Sequence, residues 1–289
     1  ENVFIGGRTG TSITTSGHNV FIGARAGTYR KTGGRNIGLG YYALYGSTTA
    51  ANNTGFYNIA FGALAGKNVT SGGYNIFFGR QAGCVTADGS GNIAMGCNSL
   101  YGNVSGNANI AIGPQAGMKV GAGLCNIFIG RDAGESTGTA TDNDASWNVA
   151  LGVSAGKGLT DGDDNVFLGH NAGQGYSTTH NNVAIGYNAG QIQGGSSNIF
   201  IGCEAGKGSG TASDNDGSYN LAVGFEAGKL LTDGDQNVFI GRDAGSDVTT
   251  GCDNIYLGYS AGKGHATGNC NIAIGYGAAT KIGVGGENI

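Results

Sequence analysis

Apolar residues recur along the chain in one short pattern: Asn, an aliphatic residue, a variable residue, a second apolar residue and then Gly. Two examples are NIFIG at 126–130 and NVFIG at 237–241. The Asn residues follow one another at steps of 17 residues, with three steps of 22 and one of 16. Self-similarity at a fixed period indicates a repeat architecture in which each unit packs on its neighbours.

Each apolar stretch predicts a short β-strand, because it is rich in β-branched residues and ends at Gly. A repeat of 17 residues can hold short strands and turns but no long helix. We therefore predict an all-β fold, a parallel β-solenoid (β-roll) of about 16 coils that runs through residues 1–289 as a single continuous domain. Because both ends fall within a repeat, we expect a piece of a longer protein.

Stacking explains why the same residue returns at the same place. An Asn above an Asn can pass amide hydrogen bonds from coil to coil, as in cross-β ladders. The Gly that closes each strand is expected to adopt a positive φ at a corner. The predicted structural ladder includes Asn126, Asn148, Asn165, Asn182, Asn220 and Asn237.

The middle residue of the strand alternates between small and large from Ala111 to Phe239, and Tyr256 and Ala273 follow. Alternate residues of a strand point to opposite faces, so this column lies opposite the two aliphatic columns. Both faces are apolar, and a thin coil can cover only one of them. We therefore expect partner chains to cover the alternating column, the alternative being a wider monomeric coil whose long loop folds back over it. The predicted interface consists of Phe128, Phe167, Phe200, Phe239 and Tyr256.

Composition removes several classes of function. The chain has 61 Gly and one Pro, which excludes collagen, and a net charge of −4, which gives no reason to expect nucleic-acid binding. It contains no apolar run of membrane-spanning length. The six Cys form no zinc-like spacing. Stacking would bring Cys252 and Cys270 near each other, which leaves a disulfide open.

Acidic residues cluster in and after two of the long repeats, GTATDNDASW at 138–147 and GTASDNDGSY at 210–219, each followed one coil later by LTDGD. Carboxylates one coil apart repel each other unless they are solvated or bridged by a cation, and oxygen-rich clusters suit Ca²⁺. The alternative is that Asp, Asn and Gly are simply good turn formers. No cofactor is required, and the candidate Ca²⁺ ligands are Asp142, Asp144, Asp161, Asp163, Asp214, Asp216, Asp233 and Asp235.

No catalytic constellation emerges. GVSAG at 152–156 and GYSAG at 258–262 match the nucleophile elbow, but that motif needs a strand-to-helix turn with a His and an acid. The column that holds these serines is variable in other coils, and the four His lie in different columns. We therefore expect no enzyme.

The segment NIAIGYGAATKIGVGGENI at 271–289 resembles the head repeats of trimeric autotransporter adhesins. YYALYG at 41–46 and CNSLYG at 97–102 resemble a longer variant found in bacterial and phage tail-fibre repeat regions. The resemblance covers the whole chain and implies a left-handed, parallel, trimeric β-roll that serves as a stalk or adhesive head. The coils of the adhesin heads are typically shorter, and their strands usually open with Asn-Ser.

These observations predict a non-enzymatic structural fibre, the shaft or head of a surface adhesin or tail fibre. It would be extracellular, on a cell surface or virion, and would assemble as a homotrimer through the Phe/Ala column. A surface glycan or host receptor is a candidate further partner, and nucleic acid is not. The alternative is a glycan- or ice-binding solenoid, although no column is consistently Thr. A third class, a fibre-borne enzyme that degrades polysaccharide, would need clustered carboxylates in a groove, which only the two Asp groups could supply.

Overall fold

The computed structural model describes residues 1–48, 53–139, 143–210 and 215–280. Its internal contacts divide the chain into two units, Glu1–Asn148 and Val149–Ile289, and each is described by itself. The single continuous domain over 1–289 therefore stays a prediction.

The described residues contain sixteen strands, eight in each unit, and no helix. Within each unit every strand pairs in parallel with the next one in the chain, in the register set by the repeat, such as Ile110 opposite Ile127. The predicted all-β parallel solenoid with coils of about 17 residues is thereby confirmed. The first unit contains β1 (Asn2–Ile5), β2 (Asn19–Ile22), β3 (Ile37–Leu39), β4 (Ile59–Phe61), β5 (Ile76–Phe78), β6 (Ile93–Met95), β7 (Ile110–Ile112) and β8 (Ile127–Ile129). The second contains β9 (Val149–Leu151), β10 (Val166–Leu168), β11 (Val183–Ile185), β12 (Ile199–Ile201), β13 (Leu221–Val223), β14 (Val238–Ile240), β15 (Ile255–Leu257) and β16 (Ile272–Ile274).

The Gly that ends each strand is required by both backbone conformation and space. Gly241 has a φ of 133°, and a Cβ there would lie 2.5 Å from the carbonyl oxygen of Gly258 in the next coil. Each coil then turns through non-glycine residues in the left-handed region, such as Asp243 and Asp253 with φ of 57° and 58°. Such residues cost about 1–2 kcal/mol each, and stacking with the neighbouring coils must offset that cost.

The Asn column forms the predicted ladder. The Oδ1 atom of Asn237 accepts hydrogen bonds from the backbone N–H of Asn254 at 3.0 Å and from its Nδ2 at 3.0 Å. The Nδ2 atom of Asn237 also donates to the carbonyl of Gly251 at 2.8 Å, which closes its own coil. From Asn19 to Asn271 these residues are at most 2% exposed. The amide groups are thus satisfied without water, as buried polar groups need to be.

The Phe/Ala column lies inside the coil, so the prediction that it faces other chains is wrong. From Phe77 to Phe239 each Phe ring of this column packs against two Gly turns, one in its own coil and one in the coil before: added Cβ atoms at Gly190 and Gly206 would lie 3.0 and 2.3 Å from the Phe200 ring. A ring is larger than the spacing of about 4.8 Å between coils, so most Phe coils follow a small-residue coil. Ala184, which precedes Phe200, leaves that room. At Phe4–Phe21 and Phe239–Tyr256 two rings stack instead, with centroids 5.9 and 5.5 Å apart. The five residues assigned to an interface are at most 1% exposed within the single chain: Phe128, Phe167, Phe200, Phe239 and Tyr256.

In two coils the interior is filled by a large residue of the turn instead of a large residue of the strand. In YYALYG and CNSLYG, Leu44 and Leu100 replace the Gly of the turn, with φ of 48° and 45°. The strand residues of these two coils are small, Gly38 and Ala94. Both Leu side chains are fully buried. A large residue therefore moves from the strand to the turn while the interior stays filled.

Long polar side chains bridge two of the long coils from inside. Arg30, in the coil before the first long coil, donates from Nη1 to the carbonyl of Thr70 two coils further on, at 3.5 Å. Gln193, before the third, donates to the carbonyl of Leu231 at 3.0 Å. Burial lowers the pKa of Arg30 to about 10. The extra residues of a long coil thus leave an inner corner that the preceding coil fills.

Candidate functional site: the outward face of the sheet

In each unit the strand residues that flank the Phe/Ala column point outward and form an apolar face, here called the outward face. In all sixteen strands both of these residues are Val, Ile, Leu, Phe or Met. They keep much of their surface in solvent: Ile112 is 37% exposed in the first unit, and Ile201 and Ile240 are 37% and 41% exposed in the second. Scattered exposed apolar residues are ordinary, but an uninterrupted stripe of them is typical of an interaction surface.

Aromatic residues border the outward face on both sides. In the first unit Tyr57 and Tyr74, each just before a ladder Asn, stack with ring centroids 5.1 Å apart. In the second unit the guanidinium of Arg242 lies 5.3 Å from the ring centre of Phe225 and 5.6 Å from that of Tyr259. These residues come from successive coils and extend the exposed apolar surface beyond the strands.

Within the described strands, the two outward columns carry no charged side chain. Charged residues are found in the turns instead, as in the second unit, where Lys229 Nζ lies 2.8 Å from a carboxylate oxygen of Glu204. Lys229 lowers the pKa of Glu204, and burial of that carboxyl opposes the effect. The outward face therefore offers apolar contact, with polar groups only beyond its borders.

The sequence identified the correct strand but the wrong side of it. The argument that a thin coil leaves one apolar face without cover is sound, but the face without cover is the aliphatic one. One signal in the sequence could have shown this. The small strand residues Gly38 and Ala94 occur in the same coils as the turn residues Leu44 and Leu100, which indicates that the two columns touch inside the coil.

The candidate Ca²⁺ ligands fall into three groups. Asp142 and Asp214 lie outside the described residues. Asp144 belongs to the first unit, whereas Asp161 and Asp163 belong to the second. The remaining three, Asp216, Asp233 and Asp235, share the second unit.

Two of those carboxylates accept backbone hydrogen bonds from the coil before. Oδ1 of Asp235 accepts from the N–H of Ser218 at 2.7 Å, and Oδ1 of Asp233 accepts from the N–H of Asp216 at 3.4 Å. This is the chemistry of turn-forming Asp residues. In the described part of the chain no group of three or more His, Cys, Asp or Glu is placed to hold a metal. Calcium binding stays a prediction, and calorimetry with Ca²⁺ tests it directly.

The two Cys residues expected to be neighbours lie in adjacent coils, and the N–H of Cys270 donates to the carbonyl of Cys252 at 3.0 Å. Both thiols are free. The only described histidine that contacts a carboxylate side chain is His180, whose Nδ1 lies 3.8 Å from Oδ2 of Asp163. The same nitrogen accepts a hydrogen bond from the backbone N–H of Asp163 at 3.0 Å.

No protein-family model matches this chain, and neither does any curated protein. No helix within the described ranges is long and apolar enough to cross a membrane.

Proposed function

We propose that the protein is a structural fibre segment in which copies of the chain associate through the outward face. The observation that carries this proposal is the pair of apolar columns in each unit that are half-buried or exposed at every strand. Removing such a surface from water stabilises an assembly by about 25 cal/mol per Å² of apolar area. The partner is a second copy of the same chain, and we propose a homotrimer.

The interior of each unit suits a load-bearing element. The Asn ladder, the Gly column and the packed Phe rings fix every coil against the next, and the turns add backbone hydrogen bonds between coils, such as Gly245 N–H to the carbonyl of Ala261 at 2.9 Å. Eight strands at about 4.8 Å spacing extend each unit by about 34 Å. A rigid stack with a uniform apolar side is well suited to bundling into a shaft or head.

The remaining features of the proposal follow the resemblance of the repeats. The coil is left-handed, the fibre belongs to a surface adhesin or tail fibre, and it works outside the cell or on a virion. It carries no catalytic site of its own. A host receptor would be a further partner of the assembled fibre.

Light scattering on the purified chain tests the assembly. The wild type should have the mass of three chains. Ile240→Asp would place one charge per chain in the apolar contact, and burying unpaired charges costs several kcal/mol each, so this variant should be monomeric. Thr250→Asp, in the turn of the same coil at an exposed position, is the matched control and should remain trimeric.

Circular dichroism must show that both variants keep the fold. A monomeric wild type at high protein concentration would refute the association. If the Ile240→Asp variant keeps the mass of the wild-type assembly, the chains do not associate through the outward face.

A further inference from the structure

The two coils with Leu in the turn share another feature that the packing of the interior does not explain. Each continues Tyr-Gly, giving Tyr45-Gly46 and Tyr101-Gly102. Both Tyr residues line a concavity on the surface of the first unit, of about 410 Å³ at Tyr45 and about 360 Å³ at Tyr101. Both volumes fall in the range of about 300–1,000 Å³ that is usual for small-molecule sites.

The aromatic and basic side chains at the Tyr45 concavity already contact side chains of the same chain. The Tyr45 ring lies 4.9 Å from the Tyr29 ring and 4.6 Å from the Tyr42 ring. Lys67, which lines the same concavity, lies 5.8 Å from the centre of the Tyr42 ring. These groups stabilise one another, so little of their capacity is left for a ligand.

The concavity at Tyr101 differs in this respect. Its lining includes Gln81, Asn98 and Lys119 together with Met118 and the Tyr101 ring. Among the described residues, none of the Gln81, Asn98 and Lys119 side chains has a hydrogen-bond or ion-pair partner, and the Tyr101 ring contacts no other ring. The surrounding backbone is satisfied by coil-to-coil bonds, such as the N–H of Val85 to the carbonyl of Tyr101 at 2.9 Å. The polar groups of three side chains and the ring of Tyr101 are therefore all available for contacts with a ligand in one cavity.

The chemistry of this lining selects a class of ligand. The Tyr101 ring and the Met118 thioether form an apolar wall. The Gln81 and Asn98 amides both donate and accept, which matches hydroxyl groups that do the same. The Lys119 ammonium adds a positive charge, and no carboxylate lines the cavity. A ligand that fits has one apolar side, several hydroxyls and a negative charge.

We propose that this cavity binds an acidic sugar residue, a pyranose ring that bears a carboxylate. The ring stacks on Tyr101, its hydroxyls bond the two amides, and its carboxylate pairs with Lys119. The site uses columns of the repeat other than those of the outward face, so it does not depend on self-association and would remain accessible on an assembled fibre.

Saturation-transfer NMR and calorimetry with trigalacturonic acid test the site, with a neutral galactose trisaccharide as the matched probe. One ring in a shallow site should bind with a Kd in the millimolar range. Tyr101→Ala should weaken binding of the acidic trisaccharide about tenfold, the loss expected for one stacked ring. Lys119→Gln should abolish the preference for the acidic over the neutral trisaccharide.

The repeat supplies matched controls. Tyr45→Ala removes the same residue from the corresponding coil, and Lys263→Gln removes an exposed Lys from the second unit; both should bind as the wild type does. Acetate and benzoate, added as competitors, separate a bare anion site or an aromatic pocket from a sugar site. Absence of saturation transfer to the acidic trisaccharide, equal loss in the Tyr45→Ala variant, or full displacement by either small acid would each overturn the proposal.

Discussion

The ring of Phe200 provides the sharpest test of how the coil is built. It is fully buried and packs between the Gly190 and Gly206 turns, with Ala184 in the strand before it. Phe200→Ala removes that ring from a space that the rigid turns cannot close. Truncation of a buried Phe to Ala costs about 3–5 kcal/mol, the sum of lost apolar transfer and the cavity left behind.

The order of large and small residues can be tested separately. Exchanging the two residues, Ala184→Phe with Phe200→Ala, keeps the composition of the column but places the new ring toward Gly173. That turn already faces Phe167, since a Cβ at Gly173 would lie 2.3 Å from its ring. The exchange should therefore not rescue the single variant, because overpacking adds its own cost of about 1–3 kcal/mol.

The assay is denaturant unfolding combined with hydrogen exchange of backbone amides, since repeat stacks can unfold in parts. Phe225→Ala is the matched control, because Phe225 borders the outward face and is 44% exposed. It should cost about 1 kcal/mol or less. If Phe200→Ala costs no more than Phe225→Ala, or if the exchanged pair is as stable as the wild type, the explanation of the alternation is refuted.

Three further outcomes are expected. Asn237→Ala should lower the free energy of unfolding by about 1–3 kcal/mol, because it removes the acceptor of the Asn254 backbone N–H; protection of that N–H from exchange reports the loss. Gly241→Ala should destabilise by at least about 1–3 kcal/mol from backbone strain alone, whereas Gly7→Ala, where an added Cβ meets nothing within 4 Å, should be nearly neutral in the same thermal melt. Lys229 lowers the pKa of Glu204 below its ordinary value of 4.5, so this carboxylate stabilises the fold above that value, and the contribution is lost as pH falls through the lowered pKa; Glu204→Gln should flatten the stability profile below pH of about 4.5, and an unchanged slope would count against the pair.

The structural role of a column can be predicted from the sequence where the repeated residue type has only one role that fits a stacked coil. The strand-closing Gly and the ladder Asn each repeat in nearly every coil, and stacking leaves a repeated Asn few uses other than bonding the next Asn. The sequence pattern does not show which side of the strand faces the interior of the coil, because both sides of the strand carry apolar residues. Only two coils carry that information, because a small strand residue, Gly38 or Ala94, occurs there together with a large turn residue, Leu44 or Leu100. Recognising this requires a comparison of the strand column with the turn column.

The candidate sites divide for the same reason. A cavity such as that at Tyr101 depends on side chains from three successive coils, and no spacing within one coil marks it. The Asp residues were conspicuous in the sequence because they occur in and one coil after two similar insertions, yet Asp233 and Asp235 accept backbone hydrogen bonds. Polar residues that repeat in a turn indicate first of all a turn. They indicate a ligand site only when their side chains have hydrogen-bonding groups that the protein itself does not use.

The closed interior also changes how copies of the chain would align. If Phe and Ala coils faced each other between chains, a slip of one coil would set rings against rings. With those residues inside, the outward columns are apolar at every coil, and a one-coil slip between copies would cost little. Axial alignment must then come from the borders, where Phe225, Arg242 and Tyr259 differ from one another in three successive coils. We expect spin-label distances between copies of the wild type to show one population, and those of an Arg242→Ala/Tyr259→Ala variant to show several separated by about 4.8 Å. A single unchanged population in the variant would mean that other residues set the alignment.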